Sequence, residues 1–120
     1  MSEPNHDKEA AATARVRAAH DTVTKAVFLQ THADGGSDPV AATAVAANAR
    51  LAMSAGAAYL LARLDPATPP ALAAAVRSFA GLLEDIAMNS LAGIANEDPV
   101  QAARLRDADV ASSRIAKLCK

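Results

Sequence analysis

Residues 39–64 read PVAATAVAANARLAMSAGAAYLLARL, and this alanine-rich stretch is the strongest structural signal in the sequence. Eleven of these 26 residues are alanine, which has the highest helix propensity of all residues. Asp38 and Pro39 mark a helix start, since aspartate caps free backbone N–H groups and proline suits the first helical position. Asp65-Pro66 marks the end, because a residue before proline avoids helical backbone angles. The sequence therefore predicts one long helix over this stretch.

Small and apolar residues cover more than one face of this predicted helix. One stripe consists of Val40, Ala44, Ala47, Leu51, Ala55, Ala58 and Ala62, and a second of Val45, Ala49, Ala52, Gly56 and Tyr59. A helix that is apolar on several faces either lies in a protein core or spans a membrane. Alanine is only weakly hydrophobic, and Arg50 in mid-stretch would cost roughly 3 kcal/mol in a bilayer. We therefore expect this helix to be almost fully buried by the rest of the chain.

Apolar residues at spacings of three and four predict three further helices that cover the first. The four predicted helices span residues 6–31, 39–64, 69–95 and 99–117. Connections of roughly three to seven residues favour antiparallel neighbours, so the predicted fold is all-α, an up-down-up-down four-helix bundle. We expect one domain over residues 1–120, with frayed ends at residues 1–5 and 119–120.

The composition predicts a folded protein with a thin core. Apolar residues make up 52% of the chain, but 33 residues are alanine and only 24 are Val, Leu, Ile or Phe. Because alanine buries little apolar area, close helix contacts or a partner chain have to supply the missing stabilisation. The net charge of −1 offers no general attraction to nucleic acid, and the polar amino terminus lacks the apolar segment of a signal peptide. We expect a cytoplasmic protein that does not enter membranes.

Reactive side chains are too few or too poorly placed to predict catalysis or metal binding. A di-metal site in a helical bundle uses glutamates and Glu-x-x-His pairs, and the chain has no such pair. The neighbouring Glu84 and Asp85 would point about 100° apart on a helix. Cys119, the single cysteine, is expected at a frayed end, where Lys117 and Lys120 would lower its pKa but no base is positioned to activate it. The sequence therefore predicts no catalytic residue, no metal and no cofactor.

The main functional prediction is a non-enzymatic interaction or accessory protein that acts through protein–protein contacts, as a homodimer. It rests on the thin core and on apolar residues that lie beyond the principal stripes of the helices. The predicted interaction surface consists of Phe28, Leu29, Leu82, Met88 and Leu91. Exposed apolar patches of this kind mark protein-binding sites. For Phe28 and Leu29 the alternative is that the following loop wraps around the helix end and covers them.

Two alternatives come from other functional classes. His20, Asn48 and Tyr59 lie on or beside apolar faces, and they predict either hydrogen bonds inside the core or a small-molecule pocket between helices. The last helix is locally basic through Arg104, Arg106, Arg114, Lys117 and Lys120. Asp107 and Asp109 dilute this charge, so a nucleic-acid-associated regulator is the weakest of the three predictions.

Overall fold

The computed structural model of the chain describes the backbone of residues 3–120 and the side chains of residues 5–120. This part of the chain contains four helices and no strand: α1 (Glu3–Thr31), α2 (Pro39–Leu61), α3 (Pro70–Leu91) and α4 (Pro99–Leu118). Consecutive helices pack against each other, and α1 also meets α4 along a sparser interface. The predicted all-α, up-down-up-down four-helix bundle is confirmed. Residues 1 and 2, part of the predicted frayed terminus, lie outside the described residues.

Two aspartates set the starts of α2 and α4, as the Asp-Pro pairs predict. Oδ1 of Asp38 accepts a hydrogen bond from the backbone N–H of Val40 at 3.0 Å. Oδ2 of Asp98 accepts from the backbone N–H groups of Val100 and Gln101, each at 3.1 Å. In both helices the proline after the aspartate lies in the first turn, where its missing N–H is not needed. Both predicted starts are therefore confirmed.

The helices α2 and α3 end earlier than the sequence predicts. After Leu61 the backbone N–H of Leu64 donates to a carbonyl three residues back, which is a tighter turn than that of an α-helix. α3 ends at Leu91 because Gly93 adopts a φ of 94°, a left-handed conformation that closes a helix. Leu64 and Ile94 continue the apolar spacing beyond these ends, so the pattern alone places the ends too late.

The core of the bundle forms around α3 rather than α2. α3 contributes the buried residues Leu72, Ala73, Ala75, Val76, Phe79, Ala80, Leu83, Ile86 and Ala87. α2 contributes Met53, Gly56, Ala57 and Leu60, all from its second half. The prediction that α2 is almost fully buried is wrong. Large side chains gain more free energy from burial than alanine does, and α3 carries Leu, Val, Phe or Ile at successive turns of one face.

Glycine allows two close approaches to α2, one by α1 and one by the α1–α2 connection. A Cβ atom at Gly56 would lie 2.8 Å from Cγ1 of Val23, which is closer than real Cβ contacts allow. A Cβ atom at Gly35 would lie 2.7 Å from the backbone nitrogen of Ala42. Both glycines are therefore required by the spacing of the backbone around them.

The molecule is elongated and has a large surface for its mass. Its principal extents are 60 × 24 × 19 Å, and its radius of gyration is 16.0 Å, against about 14 Å for a compact domain of this length. Its accessible surface is 7367 Å², whereas size scaling gives about 6,100 Å² for a compact monomer of 12.2 kDa. No residue from 24 to 50 is buried, so the end of the bundle at the α1–α2 connection contributes much of this excess.

Candidate protein-contact face

The side of α2 that faces away from the core carries a row of exposed residues along the whole helix. The row consists of Val40, Ala44, Ala47, Leu51, Ser54, Ala58 and Leu61, spaced alternately by four and three positions. This alternation is the heptad spacing with which a helix faces a partner helix in a coiled coil. Every member except Ser54 is apolar. The row contains most of the first apolar stripe, which was predicted to be buried and instead meets solvent.

Two large residues of α3 widen this row. Met88 and Leu91 line a groove of about 350 Å³ between α2 and α3, together with Ala47 and Leu51 of α2. Leu51, Met88 and Leu91 are 64%, 65% and 63% exposed, so they form a neighbouring group rather than scattered single residues. We name the α2 row together with Met88 and Leu91 the α2–α3 face.

One charge of each sign lines the groove of the α2–α3 face. Arg50 comes from α2 and Glu84 from α3. Neither takes part in a salt bridge with another described residue, whereas Arg15 and Asp65 do, elsewhere on the bundle. Arg50 is the single charged side chain of α2. The face therefore has an apolar centre and complementary charges on its two walls.

A second groove runs between α3 and α4 and has a different character. Its lining includes Leu82 of α3 and Asp107, Val110 and Arg114 of α4. Val110 is its one large exposed apolar residue, at 69% exposure. Both charged residues come from the same helix, so the two walls of the α3–α4 groove are not complementary in charge.

A third depression, the end cleft, lies beside the α1–α2 connection. Its volume is about 410 Å³, and its lining includes the apolar Met53, Ile86 and Leu105 and the polar Arg50 and Asn96. Met53 and Ile86 are buried, whereas Asn96 is exposed. The cleft therefore combines an apolar floor with a polar rim, which is the usual composition of a small-molecule site.

The predicted interaction residues occupy three separate places. Met88 and Leu91 belong to the α2–α3 face, whereas Leu82 is half-buried in the α3–α4 groove. Phe28 and Leu29 are more than half exposed near the end of α1, although the ring of His32, the first residue after the helix, stacks on the ring of Phe28 with the centroids 4.0 Å apart. These five residues therefore do not form one surface.

The predicted ligand residues do not come together. His20 is buried between helices, whereas Asn48 is exposed on α2. Tyr59 is partly exposed, and the guanidinium carbon of Arg63 lies 3.4 Å from the centre of its ring. Asn48 and Tyr59 are roughly 16 Å apart along the helix axis. None of the three predicted residues lines the α2–α3 groove, the α3–α4 groove or the end cleft.

His20 links α1 to both α3 and α4. Its Nε2 lies 2.9 Å from Oγ of Ser112, and its ring meets the ring of Phe79 edge-on with the centroids 5.8 Å apart. Burial lowers the pKa of His20, and the negative charge of Asp21 opposes this effect. His20 therefore serves as the hydrogen-bonded core residue that was one of its two predicted roles.

Cys119 lies in the core and not at an exposed end. It caps α4, and its backbone N–H donates to the carbonyl of Ile115 at 3.0 Å. Burial raises the pKa of the Cys119 thiol, while Arg17 acts in the opposite direction. The expectation of a lowered pKa at an exposed thiol is therefore wrong, and the thiol is held in its protonated, less reactive form.

The sequence patterns do not predict that the amide of Gln101 is buried. Its Nε2 donates to the backbone carbonyl of Ile86 at 2.9 Å, and its Oε1 accepts from Nη1 of Arg104 at 2.9 Å. Its position three residues after the cap Asp98 is the single local signal, and that position gives no indication of burial. Gln101 fixes the register between α3 and α4.

Within residues 5–120, no group of three or more His, Cys, Asp or Glu side chains is arranged to hold a metal ion. None of the four helices combines the length and the hydropathy that crossing a bilayer requires. Comparisons of the chain with protein-family models, curated proteins and solved structures gave no match.

Proposed function

We propose that this protein is a non-enzymatic helical interaction protein that binds another protein through the α2–α3 face. The observation that carries the proposal is the exposed row at heptad spacing on α2, with Met88 and Leu91 beside it. Heptad spacing suits the insertion of side chains between those of a facing helix. The small alanines of the row allow that helix to approach closely.

The placement of the reactive side chains supports a contact role. The imidazole of His20 is committed to Ser112, and burial keeps the Cys119 thiol protonated. Neither His20 nor Cys119 lines the α2–α3 groove, the α3–α4 groove or the end cleft. The α2–α3 face presents mainly apolar side chains instead.

The free energy of binding would come from a few large residues. Covering Leu51, Met88 and Leu91 completely would contribute about 1–2 kcal/mol each, because each is already about one third buried. The alanines add contact area and exclude water, but each contributes little. Leu51 lies at the centre of the row, so it is the residue whose replacement should weaken binding most.

Site-specific photo-crosslinking in the native cell tests this proposal. A photoreactive amino acid at Ser54, within the exposed row, should give a covalent protein adduct. The matched control is Ser113, an exposed serine on α4 that lies outside the α2–α3 face. We expect the adduct at Ser54 to disappear in the Leu51→Glu background and to be absent at Ser113. Equal yields at the two serines, or no adduct at Ser54, would overturn the proposal.

The end cleft favours small-molecule binding as a second candidate function. It has an apolar floor, a polar rim and a volume within the usual range of ligand sites. Anilinonaphthalene sulfonate, an apolar anion, is a suitable probe because Arg50 stands at the rim. This candidate predicts saturable binding that survives Leu51→Glu but is lost in Leu105→Trp, which fills the floor. Binding lost in Leu51→Glu but kept in Leu105→Trp would assign the probe to the α2–α3 face and reject the cleft.

A further inference from the structure

We infer that the partner of the α2–α3 face is a second copy of this chain, related by a two-fold axis that runs along the groove. In this arrangement α2 of each copy lies against α3 of the other, and Arg50 of each pairs with Glu84 of the other. The inference rests on the proposed function, since it names the partner of the same face. It also gives a geometry to the homodimer that the sequence predicts.

The charges of the groove favour this symmetry. Arg50 lies on the α2 wall and Glu84 on the α3 wall, and neither is in a salt bridge with a described residue. A two-fold axis along the groove places the α2 wall of each copy opposite the α3 wall of the other. It therefore brings Arg50 of each copy towards Glu84 of the other. A two-fold interface that stacked α2 directly on α2 would instead bring the two Arg50 side chains together, and like charges disfavour association.

The apolar residues of the groove are arranged for the same contact. Leu51 on one wall and Met88 and Leu91 on the other are exposed to a similar extent. Exchange of the walls places Leu51 of each copy against Met88 and Leu91 of the other. The four central helices then form an antiparallel bundle in which each helix has two neighbours, which is a common packing of amphipathic helices.

The accessible surface of a single chain is large enough to include the area that such a contact would cover. The accessible surface exceeds that of a compact monomer of the same mass by about 1,300 Å². A standard protein interface covers about 800 Å² on each partner. α2 is about 35 Å long and a helix is about 10 Å wide, so the α2 row with Met88 and Leu91 offers several hundred Å² to such a contact. Covering the α2–α3 face would therefore remove part of the excess surface.

The α3–α4 groove is a weaker candidate for the same role. It exposes one large apolar residue, Val110, whereas the α2–α3 groove exposes three. Its charged residues, Asp107 and Arg114, lie on one helix, so exchange of its walls pairs neither with an opposite charge. The groove therefore serves as an internal control for surface substitutions.

Sedimentation velocity of charge-reversal variants tests the inference. We expect the wild-type chain to dimerise in the micromolar range, and Arg50→Glu and Glu84→Arg each to weaken the dimer about tenfold or more. An equimolar mixture of the two variants should dimerise like the wild type, because each chain then supplies the charge that the other lacks. Asp107→Arg, in the α3–α4 groove, should leave the dimer unchanged. Glu84 is exposed, so Glu84→Arg tests the pairing without disturbing the core.

The outcomes separate this inference from the proposed function. A mixture that stays monomeric while the wild type dimerises would overturn the pairing of Arg50 with Glu84. A wild-type chain that stays monomeric at every concentration would overturn the second copy as partner. The adduct at Ser54 would in that case contain a different protein, and the proposed function would stand. Loss of both the dimer and the adduct would remove both proposals.

Discussion

The side-chain amide of Gln101 on α4 donates a 2.9 Å hydrogen bond to the backbone carbonyl of Ile86 on α3. Gln101 is completely buried, and its other polar atom accepts a hydrogen bond from Arg104. A buried amide with both groups satisfied holds two helices in one register, because any slip would leave it unpaired. This contact therefore anchors α4 to the helix around which the core forms.

Replacement of this amide should destabilise the bundle. We expect Gln101→Leu to lower the free energy of unfolding by about 1–3 kcal/mol, since the interhelical hydrogen bond is lost and Arg104 loses its acceptor. Arg104→Ala should cost less, because that side chain is only half-buried. Urea unfolding followed by circular dichroism measures both. An unchanged stability of Gln101→Leu would show that the amide does not fix the register.

The contact between Gly56 and Val23 predicts opposite effects at two helical glycines. We expect Gly56→Ala to cost about 1–3 kcal/mol, because the added Cβ would lie 2.8 Å from the Val23 side chain. Gly81→Ala is the matched control, since nothing lies within 4 Å of a Cβ there, and it should stabilise α3 by about 0.5–1 kcal/mol. Thermal and urea unfolding measure the two changes. If both glycines responded alike, the close approach of α1 and α2 would be refuted.

The buried imidazole of His20 predicts a loss of stability in acid. Burial lowers its folded-state pKa below the ordinary value of 6.5, with Asp21 opposing, so the folded state binds fewer protons than the unfolded state. The contribution of His20 is therefore complete above pH 6.5 and falls as the pH drops towards the folded-state pKa. We expect the free energy of unfolding to decrease less in His20→Gln than in the wild type as the pH falls from about 7 to about 5. Ser112→Ala should lower stability but keep the slope, and an equal slope in His20→Gln and the wild type would contradict this account.

The buried thiol of Cys119 predicts slow chemical labelling. We expect a disulfide reagent to modify the native chain at least about tenfold more slowly than the urea-unfolded chain, because the thiol is both covered and protonated. The control is Cys119→Ser combined with Lys120→Cys, which moves the thiol to an exposed neighbouring position. That variant should react almost as fast folded as unfolded. Rapid labelling of native Cys119 would mean that the end of α4 opens readily.

The starts of α2 and α4 could be predicted because they depend on neighbouring residues. Asp38-Pro39 and Asp98-Pro99 each supply a capping carboxylate and a proline for the first turn, and both act as expected. The order of the helices and the bundle followed from these signals and from the short connections. The apolar residues beyond the ends of α2 and α3 placed those two predicted ends too late, and α1 begins at Glu3 rather than at the predicted residue 6.

What covers each apolar face could not be predicted from the sequence. The row through Leu51 has the same spacing whether it packs inside the bundle or faces solvent, and the larger side chains of α3 take the core instead. His20 meets Ser112 across a separation of 92 positions, and no local pattern specifies that contact. The apolar character of α2 is therefore visible in the sequence. Its exposure on one side depends on which helix supplies the larger side chains to the core.

Hydroxyl-radical labelling over a range of protein concentrations measures whether the α2–α3 face becomes covered by a second copy. Leu51, Met88 and Val110 are exposed to a similar extent in a single chain, so all three should be labelled when the protein is dilute, and each residue is compared with its own dilute rate because the three side chains differ in reactivity. We predict that labelling of Leu51 and Met88 falls severalfold as the concentration rises, while labelling of Val110 stays constant. Constant labelling of Leu51 and Met88, or an equal fall at Val110, would contradict the assignment of this face as the contact surface.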